Sequence, residues 1–329
     1  MTESPAVTVC IPTYNRRELL AASLQSVRDQ SLQDIEIIVS DNASTDDTGD
    51  YVRSLNDPRI RYDRLEENIG LFGNLSRCLQ LGSGRYRVML PDDDLMLRGN
   101  LEAKARYLDQ NPSAGLVHSA FRYLDRNARP VGPTQHWSRL TETTLEPGES
   151  FVRRSLALGG IVCVSSVMLR SDLVAEEKFD ADDGPYADIA LWLRVASRSD
   201  VGFLMAPLSG YLVHASSASS GFDLVEVTNG RHTMTESHAD AVLQAHGRFV
   251  QRGDFSPELR TELAKVVADS DRRMRWTIRA HRMFSPNTLS TLKKVAGWSA
   301  GSLIHRKMSL DGAQPAALAS YTDPTSAAQ

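Results

Sequence analysis

The sequence predicts an α/β protein, with a mainly parallel central sheet flanked by helices and a C-terminal helical appendage. Three observations carry this. Apolar runs alternate with amphipathic helical segments through the first 125 residues. The connections are short, as strand–helix–strand units require. The runs are apolar almost throughout, which suits strands covered on both faces.

The elements follow in order. "VTVCIP" (7–12) reads as a buried strand. Residues 18–30 follow as a helix with Leu20, Leu24 and Val27 on one face. "IEIIVSD" (35–41) is a second strand, and 44–55 a helix opening on Ser and Asp cap candidates. Residues 60–65 form a short strand, and "FGNLSRCLQLG" a helix that Gly82 ends as a C-cap. A strand at 85–90, a helix at 100–111 and a strand at 114–125 continue the alternation. From 127 to 148, Pro130, Gly132, Pro133 and Pro147 predict an irregular connection with room for a hairpin. Residues 162–170 are a strand, and 187–199 a helix apolar on most faces and therefore buried. Residues 201–221 read as strand, turn, strand and a Ser-rich loop. Beyond 222 the pattern is helical, and 313–329 has the composition of a disordered tail. The expected units are a binding and catalytic domain at 1–221, a helical region at 222–312 and that tail.

Composition narrows the function. The 329 residues are 41% apolar and 24% charged, with a net charge of −4. A dedicated nucleic-acid binder is usually basic, so no nucleic-acid partner is expected. Cys10, Cys78 and Cys163 are scattered and odd in number, which reads as buried free thiols in a reducing cytosol. The N-terminus lacks the basic and apolar regions of a signal peptide. Apolar stretches fall short of the ~20 residues a membrane span needs. The expected location is the cytoplasm, with peripheral attachment at the inner face of the membrane as the variant. The basic helices of the C-terminal region read as a surface for anionic lipid, a solvated appendage or a dimer interface.

In open α/β sheets, ligands bind outside the carboxyl ends of the strands. "PTYNR" follows the first strand, Asp41 in "SDNASTDDT" ends the second, and Asp92-Asp93-Asp94 follows the fourth. Three adjacent carboxylates repel one another and call for a positive partner. Mg²⁺ or Mn²⁺ held by one or two carboxylates and substrate phosphates fits that need. A solvated acidic turn, or Asp94 as a helix cap, is the structural alternative.

The motifs "VTVCIPTYNRRELLAASLQSVRDQS", "IEIIVSDNASTDDT", "ENIGLFGN", "MLPDDDLML", "YADIALWLRVA" and "YLVHASSAS", in this order, resemble the family 2 glycosyltransferases of GT-A, Rossmann-like fold. The resemblance covers roughly residues 6–220. It implies nucleotide-sugar contacts at Pro12, Tyr14, Asp41, Asn68, Gly70, Asp92 and Asp93. Tyr14 resembles the aromatic that packs on the base, where stacking is worth ~1–3 kcal/mol; a core tyrosine is the alternative. Asp41 resembles the carboxylate that accepts a base N–H, which favours UDP- or dTDP-sugars; an Asx-turn is its alternative. Asn68 and Gly70 serve equally as a plain turn. The resemblance places the metal on Asp93 or Asp94, with His214 near the diphosphate, and leaves open which of the three aspartates is the ligand. His214 has an ordinary structural role as its alternative.

Asp188 matches the family's general base, and a helix N-cap suits it equally. Asp180, Asp182 and Asp183 compete for the role. Trp192 reads as core, and Arg194 as the partner of a site or structural carboxylate. The sequence departs from the family pattern at Asn42, Pro91 and Ala187, where acidic residues are common. The implied reaction is inverting transfer from a nucleoside-diphosphate sugar to an unidentified acceptor hydroxyl, in cell-surface polysaccharide, glycolipid or natural-product glycosylation. A degenerate, non-catalytic nucleotide-sugar binder is the alternative. A nucleotidyltransferase is disfavoured because "IPTYNRRE" lacks glycine. A dinucleotide oxidoreductase is disfavoured because no G-x-G-x-x-G follows the first strand.

Overall fold

A computed structural model describes residues 4–125, 127–136, 138–159, 162–212, 225–228 and 231–283. The first half alternates as β1 (Val7–Thr13), α1 (Arg17–Arg28), β2 (Ile35–Asp41), α2 (Thr48–Ser54), β3 (Ile60–Arg64), α3 (Gly70–Gln80), β4 (Tyr86–Met89), β5 (Leu95–Met96), α4 (Asn100–Gln110) and β6 (Ala114–Leu124). The chain continues through β7 (Pro130–Gln135), β8 (Thr144–Glu146), α5 (Gly148–Leu158), β9 (Val167–Arg170), α6 (Ala187–Ala196) and β10 (Asp200–Leu212). A small hairpin, β11 (Val225–Thr228) and β12 (Arg231–Met234), precedes α7 (Glu236–Arg252) and α8 (Pro257–Met283).

The main sheet has the order β3-β2-β1-β4-β9-β6-β10-β5, with β7 paired to β6 and β8 to β10. β1, β2, β3 and β4 run parallel, and β9 lies antiparallel between β4 and β6. β10 is parallel to β6, so the carboxyl ends of β1 to β4, β6 and β10 share one edge. β1 is buried at all seven positions because it sits in mid-sheet, whereas β3, at the edge, is only partly covered. Leu20, Leu24 and Val27 of α1 face one apolar layer with Val9, Ile11 and Val88. Burying each is worth about 1.5–3 kcal/mol. α6 is buried almost all round, including Trp192. Phe249 and Val250 of α7 and Leu263 and Val267 of α8 join α6 and Phe151 of α5 in the second layer. The C-terminal helices therefore cover part of the sheet's other face.

Gly82 ends α3 in the left-handed region, at φ +86°. A Cβ there would stand 2.5 Å from the Thr8 side chain, so no other residue fits. Cys10, Cys78 and Cys163 are buried free thiols, as expected.

The structure differs from the sequence expectation at four places, one of them the β11–β12 hairpin where the chain beyond 222 was expected to be helical. Residues 200–212 form one strand where a turn was expected. Pro207 and Gly210 read as turn residues, but β10 absorbs them through register shifts against β6. On its other side β10 meets β8 at 201–203 and β5 at 209–210, so Pro207 falls where no ladder bond is needed. Helix α5 fills 148–158, which carried no helical assignment. The strand expected at 162–170 begins only at Val167, after a 3-10 turn at Val164–Ser166. The hairpin foreseen after 127 exists: β7 folds back on β6 around Asp125, whose Oδ1 accepts the Asn127 and Arg129 amides. No helix among the described residues is long and apolar enough to cross a membrane.

Candidate active site

Four loops meet at the carboxyl edge of β1–β4. Pro12 is buried within β1 beside Ser40, and the chain then exposes Tyr14, the residue expected to pack on the base. Asn15 follows with φ +52°. Its side chain accepts the Thr45 amide at 2.7 Å and its own amide donates to Ser44 Oγ at 2.8 Å. The β1 and β2 loops are thereby tied together.

Asp41, at the end of β2, is sealed from solvent. Oδ1 accepts the Ser44 amide at 2.8 Å and Oδ2 accepts the Tyr62 hydroxyl. Burial, and then Asp41 itself, push the Tyr62 phenol well above its ordinary value. Asn42 Nδ2 donates to Asn68 Oδ1 at 2.9 Å and to the Gly70 carbonyl at 3.1 Å, while Oδ1 takes the Ile69 amide at 2.9 Å. Asn42 thus fastens the loop carrying Asn68 and Gly70 to β2. An aspartate in its place would set an acceptor against two acceptors.

The acidic run turns tightly after β4, with the Asp94 amide bonded to the Pro91 carbonyl at 3.1 Å. Asp92 accepts Thr13 Oγ1 at 2.8 Å and Arg16 Nη1 at 3.2 Å. Asp93 lies 3.3 Å from the same Arg16 nitrogen. Two carboxylates therefore already converge on one positive group. Burial and the Asp93 charge push the Asp92 carboxyl up to about 6. Asp94 turns inward: Oδ1 accepts the Leu212 amide at the end of β10, at 3.0 Å. Burial, then the Asp93 charge, drive its carboxyl well above the usual range, against hydrogen bonds from Leu212 and Ser165.

Among the described residues, no group of three or more His, Cys, Asp and Glu side chains is arranged to hold a metal. The donor set at this edge is two carboxylates that share Arg16, the buried Asp92 and the half-buried Asp93. That suits a hard divalent ion whose remaining ligands come from a diphosphate and water. His214 lies outside the described residues.

Asp188, expected to be the general base, lies in the first turn of α6. Oδ1 accepts the Ile189 amide at 2.8 Å. The carboxyl keeps partial solvent access although protein crowds it on most sides, and that burial raises it to about 7. No ion pair reaches it among the described residues. Its competitors are engaged elsewhere: Asp183 with Arg248 at 3.1 Å, and Asp180 with Arg252 at 2.7 Å. Asp182, largely exposed, stands 3.6 Å from Arg252. Burial and the charges of Asp94 and Asp188 all raise the Cys163 thiol, so the acidic loop and Asp188 act on a common neighbour. Arg194 serves structural carboxylates, Glu177 at 2.7 Å and Asp183 at 3.8 Å, and Trp192 is core.

Sequence reasoning missed Arg16 as the partner of the acidic run. Its signal was a basic residue three places past the end of β1, the strand that pairs with β4. Tyr62, which clamps Asp41, carried no signal beyond its place on the adjoining strand.

A mainly parallel sheet flanked by helices, with an acidic loop at its carboxyl edge, defines an α/β protein of Rossmann-like, GT-A type. A family model described as Glycosyl transferase family 2 matches residues 8–173, half of the chain, and the protein belongs to that family. Over 118 residues it is 39% identical to the GalNAc(5)-diNAcBac-PP-undecaprenol beta-1,3-glucosyltransferase of Campylobacter jejuni, covering 35% of this chain and 37% of that one. Over 188 residues it is 31% identical to abequosyltransferase RfbV of Salmonella typhimurium, covering 54% and 55%. The matches thus span between about a third and about half of these relatives. Solved structures agree in fold. S. aureus TarS in complex with UDP-GlcNAc gives a TM-score of 0.56 at 16% identity, over 84% of this chain and 91% of that one. The mannosyltransferase PcManGT of Pyrobaculum calidifontis, in complex with GDP-Man and Mn²⁺, gives 0.57 at 17% identity, over 93% and 84%.

Proposed function

We propose that the protein is an inverting glycosyltransferase that moves a sugar from a nucleoside-diphosphate sugar to an acceptor hydroxyl. The observation that carries this is the convergence of Asp92 and Asp93 on one positive group at the carboxyl edge of the sheet. Asp188, half-buried in the first turn of α6 and raised to about 7, supplies the candidate base. Asp93, with Asp92, would hold Mg²⁺ or Mn²⁺; Asp94 is turned to the β10 backbone and braces the loop. Such an ion neutralises charge on the departing diphosphate.

The residues divide the work. Exposed Tyr14 offers its ring to the base, and the Asn42–Asn68–Gly70 network shapes the loop beside it. Asp188 accepts the proton of the acceptor hydroxyl as that oxygen bonds to the anomeric carbon and the carbon–diphosphate bond breaks. One displacement inverts the centre, and a single base suffices. A base poised near neutrality combines availability with proton affinity. We favour a UDP- or dTDP-sugar, through an N–H of the base on Asp41. Because Asp41 is sealed, that contact requires the 42–45 loop to shift. The Campylobacter relative is named for an undecaprenol-linked acceptor, and a lipid-linked glycan at the inner membrane face is the acceptor we favour.

The test is nucleoside diphosphate release from UDP-, dTDP- and GDP-sugars with Mn²⁺ or EDTA. Metal-dependent release from one donor, abolished in Asp93→Asn, is the expected result. Metal-dependent nucleotide binding with no turnover under any acceptor would instead identify a degenerate binder.

A further inference from the structure

The acidic loop is tied along its backbone to polar side chains of the first helix. Ser23 and Ser26, three places apart on α1, share a face, and Gln30 follows just past the helix end. Ser23 Oγ donates to the Pro91 carbonyl at 3.2 Å, and Ser26 Oγ accepts the Met96 amide at 3.0 Å. Gln30 Nε2 donates to the Leu97 carbonyl at 3.1 Å, and its Oε1 accepts the Leu101 amide at 3.3 Å. All four bonds go to main chain. They fix the path of the loop and leave the turning of the aspartate carboxylates to other groups. For Asp92 that group is Thr13. Thr13 ends β1, and its carbonyl accepts the Asn42 amide at 3.0 Å. Its side chain is buried, and the hydroxyl donates to Asp92 Oδ2 at 2.8 Å. The other oxygen of that carboxylate, Oδ1, meets Arg16 Nη1 at 3.2 Å.

We propose that Thr13 is a positioning residue for the metal site: its hydroxyl occupies Asp92 Oδ2 and so presents Oδ1 to the cation position that Arg16 marks. This rests on the reading of Asp92 and Asp93 given above. An aspartate carboxylate turns about a broad terminal torsion, so the side chain alone does not choose which oxygen faces the cation. Thr13 can choose. Threonine is stiff at χ1, and β1 is pinned on both sides, by β2 and by β4, the strand that leads into the aspartates. The bond also satisfies a buried acceptor with a neutral donor. Arg16, by contrast, sits where an ion would sit, on Oδ1 and on Asp93. The two partners of Asp92 thus have separate tasks. Oδ1 can exchange one positive partner for another while Thr13 keeps Oδ2. Groups that orient a metal-binding side chain act on affinity, and losing one typically costs about 10–100-fold. Valine has the branched shape of threonine without the donor, and serine keeps the donor without the methyl.

The experiment reads the ion alone. Mn²⁺ is titrated into the protein without nucleotide, and the free ion is followed by its electron paramagnetic resonance signal. Thr13→Val is expected to bind Mn²⁺ about tenfold more weakly than wild type. Thr13→Ser, which keeps the hydroxyl, is expected to bind as wild type does. The valine effect should persist in an Arg16→Gln background, because the hydroxyl and the guanidinium sit on different oxygens. A purely structural hydroxyl would lower the melting temperature of Thr13→Val and leave the Mn²⁺ affinity of the folded protein unchanged. If Thr13→Val does not fold, Thr13→Ala replaces it, with Thr13→Ser again as the rescue. Wild-type affinity in Thr13→Val, or a loss that Thr13→Ser shares, overturns the proposal. Failure of the metal reading itself would appear separately, as undiminished Mn²⁺ binding in Asp93→Asn. Absence of Mn²⁺ binding in both wild type and Arg16→Gln removes both.

Discussion

Replacing Asp188 by Asn should weaken catalysis and strengthen the fold, and the second effect carries a pH signature. Burial lifts this carboxyl from the ordinary 3.8 to about 7. Its folded value lies above its unfolded value, so the folded protein binds the proton more tightly. Stability is therefore lost as pH rises from about 4 to about 7, and the full penalty stands above that. A difference of roughly three pH units corresponds to about 4 kcal/mol. Partial solvent access screens the charge, and a realistic gain for Asp188→Asn is about 1–2 kcal/mol at pH 8. The amide keeps an oxygen for the Ile189 N–H, so the helix start is preserved. Urea denaturation of both proteins at pH 8 and pH 5 measures this. The variant should gain at pH 8, and the gain should shrink towards pH 5. Turnover should fall by about 10²–10⁴-fold over the same range. A variant equally or less stable at pH 8 would mean that the carboxyl is adequately solvated or paired, and the argument for a neutral-range base would collapse.

Arg16→Gln should tighten Mn²⁺ binding several-fold, because the guanidinium competes for the same Asp92 and Asp93 oxygens; calorimetry with the ion alone reads this, and weaker binding refutes it. Asn42→Asp, although it moves towards the common family pattern, should raise the donor KM by about tenfold, since it turns two donated hydrogen bonds into repulsions. Initial rates across donor concentrations decide that. Membrane attachment is tested by flotation with phosphatidylglycerol vesicles. Co-flotation that weakens as salt rises is expected, and none at low salt removes the idea. The described part of α8 limits its contribution, because Arg275 already meets Glu236, Asp240 and Asp271.

Legibility followed periodicity. β1, β2, α1 and α4 were readable because mid-sheet strands are apolar throughout and their covering helices repeat apolar residues every three or four places. β10 was not, because Pro207 and Gly210 are turn residues wherever neighbours do not absorb them, and β5, β6 and β8 are distant in sequence. In the site, residues just past strand ends stood out: Tyr14, Asp41 and the aspartates after β4. Their partners did not. Arg16 and Tyr62 act through contacts that span from 21 to 77 positions, and no local pattern encodes those. The departures at Asn42 and Ala187 looked like losses. Asn42 proves to be a strut, and Ala187 is simply packed in the core.

Arg16 gives the acidic loop a resident counter-ion. The mutual repulsion of Asp92 and Asp93 is answered by the chain itself, so assembly of this edge does not wait for a metal. In the proposed reaction the ion is a reagent that arrives with the donor, exchanging places with a guanidinium instead of holding the protein together. A chelator should leave the melting behaviour intact while silencing turnover, and protein made in metal-poor medium should recover full activity on mixing, with no refolding delay.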